Sequence, residues 1–336
     1  MHKASRKMLL GIYMLVVSLL SLRAAYAPTL HLIINADEQY NLGTDVTVNG
    51  TLALDGSPVS DGLVAVQIND PRGDSPEHLF VVRAVTTGST PPSPQVEILD
   101  LFPCNSYGDP KYSFRKGDQL GFKAILYNYF SSQKYVILTL TIYDSSGVPA
   151  VIVMWTDNIP PGQSFPIMFY PMYTIPEDAP TGIAPVYGVA LTNWPQYNGI
   201  AYCPEKSTSF TVTSRGGGLG TSSGTSQSPE PGTFEVPFRP SDDGGVLGEY
   251  TIHATSVYNE IYLASNFTTF TVVLITDLTG GPGGGPDGLV DLRDLFYVIL
   301  RFLTSDPIAD VTKDGIVDLR DIFAVILDYG KWGILP

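Results

Sequence analysis

Several residue types that commonly build active sites are scarce in this chain of 336 residues. It contains 4 His, 3 Trp and 2 Cys. The histidines are scattered along the sequence, at His2, His31, His78 and His253. No HExxH, GxSxG or GxGxxG motif occurs in a strand-to-helix setting. No catalytic residue can be assigned on this basis, and we expect a protein that is not an enzyme.

Charge is also scarce and has mainly one sign. Charged residues make up 15% of the chain, and the formal net charge is −14. Residues 1–27 hold four basic residues and no acidic residue, so the rest of the chain is more negative still. Because a surface of this sign repels the phosphate backbone, we expect no nucleic-acid partner.

Segments with the composition of helices are few. The chain has 33 Gly, 27 Pro and 19 Tyr, which is typical of strands and turns. Its length allows two or three domains. We therefore predict a mainly β fold for most of the chain.

The only long apolar run lies at the N-terminus. Three basic residues precede the apolar segment 8–22, and Ala25 and Ala27 have the spacing of a cleavage site. This pattern predicts a secretory signal peptide over residues 1–27. Pro28 hinders cleavage at that point, so an uncleaved N-terminal anchor is the alternative. No other segment approaches the roughly 20 apolar residues of a membrane span. We expect a secreted or cell-surface protein with no span in the mature chain.

Short alternating runs separated by turns fill residues 28–94 and predict antiparallel strands. The segment from Tyr40 to Ile68 resembles Ig-like modules of prokaryotic, in particular archaeal, surface proteins, which implies a β-sandwich. Such modules end with further strands that residues 28–94 lack. Residues 233–275 contain about three strands of this kind but are too short to bury a core alone. We predict that 28–94 and 233–275 form one discontinuous Ig-like domain.

Residues 95–213 contain seven further predicted strands, which favour an inserted Ig-like sandwich. Cys104 follows the first of these strands and Cys203 precedes the last. In an exported protein two cysteines favour one disulfide. A free nucleophile or a metal-binding pair is the alternative, but no histidine lies near either cysteine in sequence. Residues 214–232 are rich in Gly and Ser and predict a flexible linker.

Two features of the β regions bear on carbohydrate. Asn49 and Asn266 lie in NGT and NFT sequons and are candidate glycosylation sites. Tyrosines are frequent from Tyr107 to Tyr202, and they and the neighbouring tryptophans have side chains that can stack on sugar rings. Packing inside the sheets is the interpretation that we favour. Trp194, in a turn, is the best candidate for an exposed aromatic residue under the other interpretation.

The most specific feature is a repeat near the C-terminus. Asp287 to Phe296 reads DGLVDLRDLF, and Asp314 to Phe323 reads DGIVDLRDIF. In the second copy, side chains with oxygen occupy positions 1, 3, 5, 9 and 12 of an EF-hand loop: Asp310, Thr312, Asp314, Asp318 and Asp321. Gly315 at position 6 permits the sharp turn, and Ile316 supplies a backbone carbonyl at position 7. Oxygen ligands at this spacing suit a hard cation such as Ca²⁺.

The first copy has the same residues from position 5 onward. Positions 5, 7, 9 and 12 are Asp287, Leu289, Asp291 and Asp294, but position 1 falls on Asp277, before GGPGGGP, so this loop is six residues longer. Position 12 is expected to begin a helix in each copy. Val290 and Val317, after position 7, are expected to pair as a short strand across the two sites. The apolar spacing after each loop predicts one wide buried helix face, packed on the other helix.

Two loop-then-helix units with Asp at position 12 and no entering helix resemble a dockerin domain, here residues 276–336. The resemblance implies a small α-helical domain, two Ca²⁺ sites and calcium-dependent folding. It also implies docking to a cohesin-like partner through positions 10 and 11. Those positions are Leu292 with Arg293 and Leu319 with Arg320, where the family often has Ser-Thr. This departure leaves open whether the partner is a cohesin or another surface protein.

These features predict a non-catalytic exported surface protein that uses a calcium-dependent dockerin-like domain for protein docking or surface anchoring. Because dockerins are commonly attached to glycoside hydrolases, the alternative is a carbohydrate-binding or accessory component of a polysaccharide-degrading system. A third possibility is that the repeat acts only as a calcium staple within the chain.

Overall fold

The computed structural model describes residues 28–75, 78–88, 93–214 and 230–336. These residues form a mainly β protein with two short α-helices near the C-terminus. The predicted signal peptide and residues 215–229 of the predicted linker lie outside the described residues. Among the helices of the described part, none is long and apolar enough to cross a bilayer.

The strands and helices follow in chain order. The strands are β1 Leu30–Asn35, β2 Gln39–Asn41, β3 Val46–Leu54, β4 Ser57–Pro58, β5 Leu63–Asn69, β6 Leu79–Thr86, β7 Val96–Cys104, β8 Ser113–Arg115, β9 Gln119–Asn128, β10 Lys134–Tyr143, β11 Pro149–Ile159, β12 Ser164–Thr174, β13 Gly182–Leu191, β14 Lys206–Thr213, β15 Thr233–Phe238, β16 Gly245–Val246, β17 Gly248–Tyr258, β18 Tyr262–Val273 and β19 Gly333–Ile334. The helices are α1 Leu292–Ile299 and α2 Leu319–Leu327.

Strands from two distant parts of the sequence share one pair of sheets. One sheet has the order β1-β3-β15, with β4 beside β3, and the other has the order β2-β18-β17-β5-β6. Within them β3 pairs with β15 and β5 pairs with β17, both antiparallel. Buried Leu30, Leu32 and Ile34 alternate with exposed residues along β1, as a strand with one face in a core requires. Residues 28–94 and 233–275 therefore pair with each other strand by strand.

The strands between these two parts form a second pair of sheets. Their orders are β11-β10-β13-β14-β8 and β12-β9-β7. The seven strands predicted in residues 95–213 are all observed, and the short β8 is an addition. Phe122, Leu126, Leu138 and Leu140 are fully buried between these sheets.

Trp194 is buried where the two pairs of sheets meet. Its side chain is 7% exposed and belongs to an apolar cluster with Leu63 of β5 and Ile137 of β10. Burial of Trp194 agrees with packing inside the sheets, the interpretation that the sequence favoured, and removes Trp194 as the exposed aromatic residue of the alternative. The turn is held against β5, because Gln67 Nε2 donates a hydrogen bond to Gln196 Oε1 at 2.7 Å.

A buried ion pair crosses the same junction. Arg83 Nε donates to Glu205 Oε2 at 2.8 Å, and the Arg83 guanidinium lies 3.5 Å from the centre of the Tyr187 ring. The Ala84 N–H also donates to Glu205 Oε2, at 3.0 Å. Glu205 thus joins the edge strand β6 to the segment before β14.

The predicted disulfide between Cys104 and Cys203 is not formed, and both are buried free thiols. Cys104 is the last residue of β7, whereas the Cys203 sulfur is hydrogen-bonded to the Ile98 backbone near the start of that strand. At about 3.3 Å per residue, these two positions on β7 are roughly 20 Å apart. A disulfide requires Cα atoms within about 7 Å of each other. The order of the strands in the chain did not show which strand ends meet.

The helices share the core of the first pair of sheets. Val298 of α1 and Val325 of α2 are fully buried, in one apolar cluster with Leu42 and Leu274. The predicted wide buried face is wrong, because the other large apolar side chains of both helices are at least partly exposed. The most exposed are Phe296 at 55%, Leu319 and Phe323 at 58% each, and Leu327 and the α1 cap residue Leu300 at 80% each. A two-turn helix that meets neighbours on one side buries only a narrow stripe, whatever its composition.

After α2 the chain returns to the β sheets as a C-terminal tail, residues 330–336. Its strand β19 pairs in parallel with β16. The Leu247 N–H donates to Ile334 O at 2.8 Å, and the Gly244 N–H donates to Trp332 O at 2.9 Å. The two-helix region is thus attached to the sheets at both of its ends.

Candidate metal centre

The first acidic residue of each loop holds the turn that follows it. Asp310 accepts hydrogen bonds from the N–H groups of Asp314, at 3.2 Å, and Gly315, at 2.8 Å. The corresponding bonds of the first loop join Asp277 to the N–H groups of Asp287, at 3.1 Å, and Gly288, at 2.6 Å. Position 1 is therefore bonded to positions 5 and 6 in both loops.

The last acidic residue closes each loop onto its helix. The buried Asp321 accepts the Thr312 N–H and hydroxyl at Oδ1, both at 2.9 Å, and the Asp318 N–H at Oδ2, at 2.8 Å. In the first loop Asp294 accepts the N–H groups of Leu278 at 2.8 Å, Thr279 at 2.9 Å and Asp291 at 2.8 Å. Positions 9 and 12 form a capping box in each copy. Each helix consequently begins at position 10, and not at position 12 as the spacing had predicted.

The six extra residues of the first loop leave its geometry unchanged. Gly280 and Pro286 form an isolated antiparallel bridge, and the Gly281 N–H donates to Gly285 O at 2.7 Å. The Gly/Pro segment 281–286 thus leaves the loop after position 4 and returns to it before position 5, as a closed excursion. It follows that Thr279 occupies position 3, which the sequence analysis did not assign. The sequence does indicate this position, because both loops begin with the pattern Asp-apolar-Thr, at Asp277 and at Asp310.

The glycine at position 6 has the expected left-handed backbone in both copies. Its φ is +87° at Gly288 and +96° at Gly315. Gly288 is restricted further, because a Cβ there would lie 2.7 Å from Gly333 O in the C-terminal tail. The first loop is therefore packed directly against the tail.

Val290 and Val317 do not pair with each other, contrary to the prediction. The Val290 N–H donates to Lys331 O at 3.0 Å, and the Val317 N–H donates to Thr304 O at 2.8 Å. Each valine pairs with the segment that follows the helix of the other copy. The two copies are interlocked in this way, and both valines are fully buried.

The carboxylates of the loops differ in their electrostatics. Burial and the charges of Asp294 and Asp287 raise the pKa of Asp277, although two backbone N–H groups act in the opposite direction. Burial also opposes ionisation of Asp321, but its bonds from Thr312 and Asp318 outweigh burial and lower its pKa. The carboxyl of Asp321 therefore has a lower pKa than that of Asp277.

The position-11 arginines contact acidic residues of their own loops. Arg293 Nη2 lies 2.5 Å from Asp287 Oδ2, and its Nε donates to Asp291 Oδ2 at 2.9 Å. Arg320 Nη1 contacts Asp314, and its Nε lies 3.8 Å from Asp318 Oδ2. The position-10 residues Leu292 and Leu319 are 53% and 58% exposed. Of the predicted partner-binding residues, the leucines face solvent and the arginines are ion-paired.

The donor groups fit a hard divalent cation in their chemistry. All are oxygens, and each loop arranges them around a tight turn that also carries a position-7 carbonyl, of Leu289 or Ile316. In the described parts of the chain, no three His, Cys, Asp or Glu side chains converge closely enough to hold a metal. In this arrangement the position-5 and position-9 carboxylates contact the position-11 arginine of their own loop.

The two sequon asparagines lie on different strands of the first pair of sheets. Asn49 is exposed on β3, beside Glu235 of β15, and lines a groove of about 1030 Å³ that Arg83 and Glu205 also line. Asn266 is exposed on β18, and its side-chain nitrogen donates to Leu32 O at 3.0 Å.

Comparisons with known proteins do not place the chain in a family. No family model matches it, and no curated protein sequence matches it. The solved structures similar to part of it include an alkylpurine DNA glycosylase, AlkC, of Pseudomonas fluorescens bound to DNA with an abasic site analogue, at 11% identity and a TM-score of 0.25. They also include the C-terminal domain of Wzt, at 16% identity and a TM-score of 0.31. A DUF4785 family protein of Legionella pneumophila matches at 10% identity and a TM-score of 0.20.

These matches are partial as well as weak. They cover 36%, 40% and 56% of this chain, in the order given. The chain spans 31% of the glycosylase, 86% of the Wzt domain and 58% of the Legionella protein. With every TM-score below 0.5, none of them carries an argument about function.

Proposed function

We propose that residues 276–336 are a calcium-binding docking module of the dockerin type, carried by an exported surface protein. The observation that supports this most directly is the hydrogen-bond pattern of the loops. Position 1 is bonded to positions 5 and 6, and position 12 to positions 3 and 9, in both copies. Two loops of different length share this geometry, which a solvated run of acidic residues would not require.

Each loop supplies six groups to the ion. In the first they are Asp277, Thr279, Asp287, the Leu289 carbonyl, Asp291 and Asp294, and in the second Asp310, Thr312, Asp314, the Ile316 carbonyl, Asp318 and Asp321. Ca²⁺ would supply the positive charge that lets these carboxylates approach one another. The chain supplies the turn at position 6 and the helix start that places position 12.

The exposed surface of the helices favours docking to another protein over a role in which the repeat only stabilises its own chain. Equivalent positions of the two copies, in or directly after the helices, expose apolar side chains: Leu292 and Leu319, Phe296 and Phe323, and Leu300 and Leu327. Contiguous exposed apolar surface of this kind marks interaction sites. The partner is a cohesin-like or other surface protein that covers this surface.

The β sheets would present this module. The pairing of β3 with β15 and of β5 with β17 supports a single discontinuous Ig-like domain, with residues 95–213 inserted as a second sandwich. The shared core and the C-terminal tail fix the module to the first of these domains. An exported location supplies the millimolar Ca²⁺ that fills weak sites.

Calorimetric titration of Ca²⁺ into the full chain tests the proposal. We expect two sites in the wild type, loss of one in Asp321→Ala, and loss of the other in Asp294→Ala. Addition of EGTA should lower the melting temperature of the wild type. A titration without binding heat and without any shift in melting temperature would rule out the calcium module.

Carbohydrate binding is a second candidate, supported by a tyrosine pair on the second pair of sheets. The rings of Tyr127 and Tyr129 lie 4.6 Å apart at an angle of 59°, and Tyr129 is 54% exposed. The Tyr129 hydroxyl donates to Glu97 Oε2 at 2.7 Å, which adds a polar group beside the rings. Binding of the full chain to a glycan array, reduced in Tyr129→Ala, would support this function. A wild-type chain that binds no glycan would count against it.

A further inference from the structure

We propose that Arg293 and Arg320 are internal counter-ions of the two loops, and that a divalent cation displaces each guanidinium when it binds. The displaced arginine is then free on the docking surface, so that metal occupancy controls which charges that surface presents. This inference rests on the proposed calcium function for its second half. Its first half, stabilisation of the metal-free loops, stands on the contacts alone.

The first loop shows one guanidinium shared by two metal-ligand positions. Arg293 contacts Asp287 at position 5, with 2.5 Å between Nη2 and Oδ2, and Asp291 at position 9, with 2.9 Å between Nε and Oδ2. Its Nη1 also lies 3.5 Å from Gly280 O, at the base of the excursion. The arginine thus bridges position 9 to positions 4 and 5 of the loop.

The second loop repeats the arrangement without the excursion. Arg320 contacts Asp314 at position 5, and its Nε lies 3.8 Å from Asp318 at position 9. The other basic side chains of this region contact groups outside the loops: Arg301 contacts Asp306, Lys313 contacts Pro307 O and Lys331 contacts Asp328. Among the basic residues named here, only the position-11 arginine of each loop contacts the carboxylates at positions 5 and 9.

Coulomb's law gives the reason for the displacement. The carboxylates of each loop repel one another, and a guanidinium within hydrogen-bond distance of two of them offsets part of that repulsion. A divalent cation competes for the same two carboxylates and repels the guanidinium a few ångströms away. Both cannot hold positions 5 and 9 in full. Metal affinity is consequently lower than these ligands would provide without the arginine.

Displacement changes the surface beside the exposed leucines. Arg293 and Arg320 follow Leu292 and Leu319 directly, and their side chains are 50% and 70% exposed while still paired. Once released from the loop acids, each arginine can pair with an acidic group of a partner next to the apolar helix surface. We therefore infer a partner with carboxylates at the rim of an apolar patch.

Glutamine variants of the full chain test both the stabilisation of the metal-free loops and the displacement of the arginines by a cation. In Arg320→Gln, Ca²⁺ affinity at one of the two sites should rise roughly two- to fivefold, the range expected for loss of an exposed ion pair. The same variant should melt at a lower temperature than the wild type in EGTA. Arg293→Gln should do the same at the other site. Arg301→Gln is the matched control, because it removes an equal charge that is paired outside the loops.

The outcomes separate this inference from the proposed function. Unchanged or weaker Ca²⁺ binding in both Arg320→Gln and Arg293→Gln would overturn displacement and make the arginines supports of the bound site. Melting in EGTA that is unaffected by these variants would overturn the counter-ion role. If the wild type binds no Ca²⁺, the proposed function and the displacement both fail, and the EGTA melts still decide the counter-ion role. An equal gain of affinity in Arg301→Gln would show a general charge effect and overturn the specific one.

Discussion

The Thr279 N–H donates a hydrogen bond to Asp294 Oδ1 at 2.9 Å, across a loop that carries a six-residue excursion. The equivalent pair, Thr312 and Asp321, has the same distance of 2.9 Å in the loop without the excursion. The contact from position 3 to position 12 therefore defines the loop, and the Gly/Pro segment lies outside it.

Deletion of residues 281–286 should leave the first loop intact. The deletion joins Gly280 directly to Asp287, and the bridge between Gly280 and Pro286 already brings these positions together. We expect a melting temperature close to that of the wild type and unchanged calcium stoichiometry, measured by calorimetry. Loss of the first site alone would show that the excursion contributes to the geometry.

Alanine substitutions of the two position-6 glycines should lower the free energy of unfolding by different amounts. Gly315→Ala places a side chain at φ +96° with open space around it, and the strain should cost about 1–3 kcal/mol. Gly288→Ala adds a contact with Gly333 O and should cost about 1–3 kcal/mol more. Urea unfolding of both variants measures the difference. Gly147→Ala, at φ +87° in a turn with open space, is the control for strain alone.

The two cysteines should titrate as free thiols only after unfolding. Burial raises the pKa of the Cys203 thiol to about 12 from an ordinary value of 9.0. A thiol reagent should therefore react slowly with the native protein near neutral pH and with both thiols in guanidinium chloride without reductant. Absence of thiols under those conditions would mean that a disulfide exists.

The same shift makes stability depend on alkaline pH. Because the folded pKa is the higher one, the unfolded state loses its proton first, and stability falls as the pH rises from 9.0 toward about 12. Urea unfolding of the wild type and of Cys203→Ser across this range should show a steeper loss in the wild type. Equal slopes would contradict the raised pKa.

Loss of the Glu205 carboxylate should destabilise the junction between the two pairs of sheets. Glu205→Ala leaves the Arg83 guanidinium, 7% exposed in its side chain, without its partner, and should cost about 3–5 kcal/mol in urea unfolding. Glu235→Ala removes an exposed carboxylate on β15 and should have little effect. The double variant Arg83→Met with Glu205→Leu should recover much of the lost stability, because an apolar pair removes the unpaired charge.

Local patterns were sufficient to predict the strands and the loops. Alternation of apolar residues predicted strands such as β1 and β10, and the spacing of acidic residues predicted the turns at Gly288 and Gly315. These features depend on residues close in sequence, where side-chain direction and backbone restriction act directly.

Features that depend on which distant segments meet were not predictable. Cys104 ends β7 whereas Cys203 lies beside the start of that strand, and Trp194 is covered by a sheet from another part of the chain. Val290 and Val317 each pair with a segment beyond the other helix, which the repeat alone does not indicate. The apolar arc of each helix is wider than the stripe that the core covers, so periodicity could not select which of its residues are buried.

The parallel pairing of β19 with β16 also has a mechanical consequence. Tension applied through α1 and α2 reaches the sheets by two routes, the direct chain connection after β18 and the tail bonds at Gly244 and Leu247. Because both ends of the two-helix region are fastened, it cannot swing on a single hinge. A load on the helices is carried into β17 and β18 together.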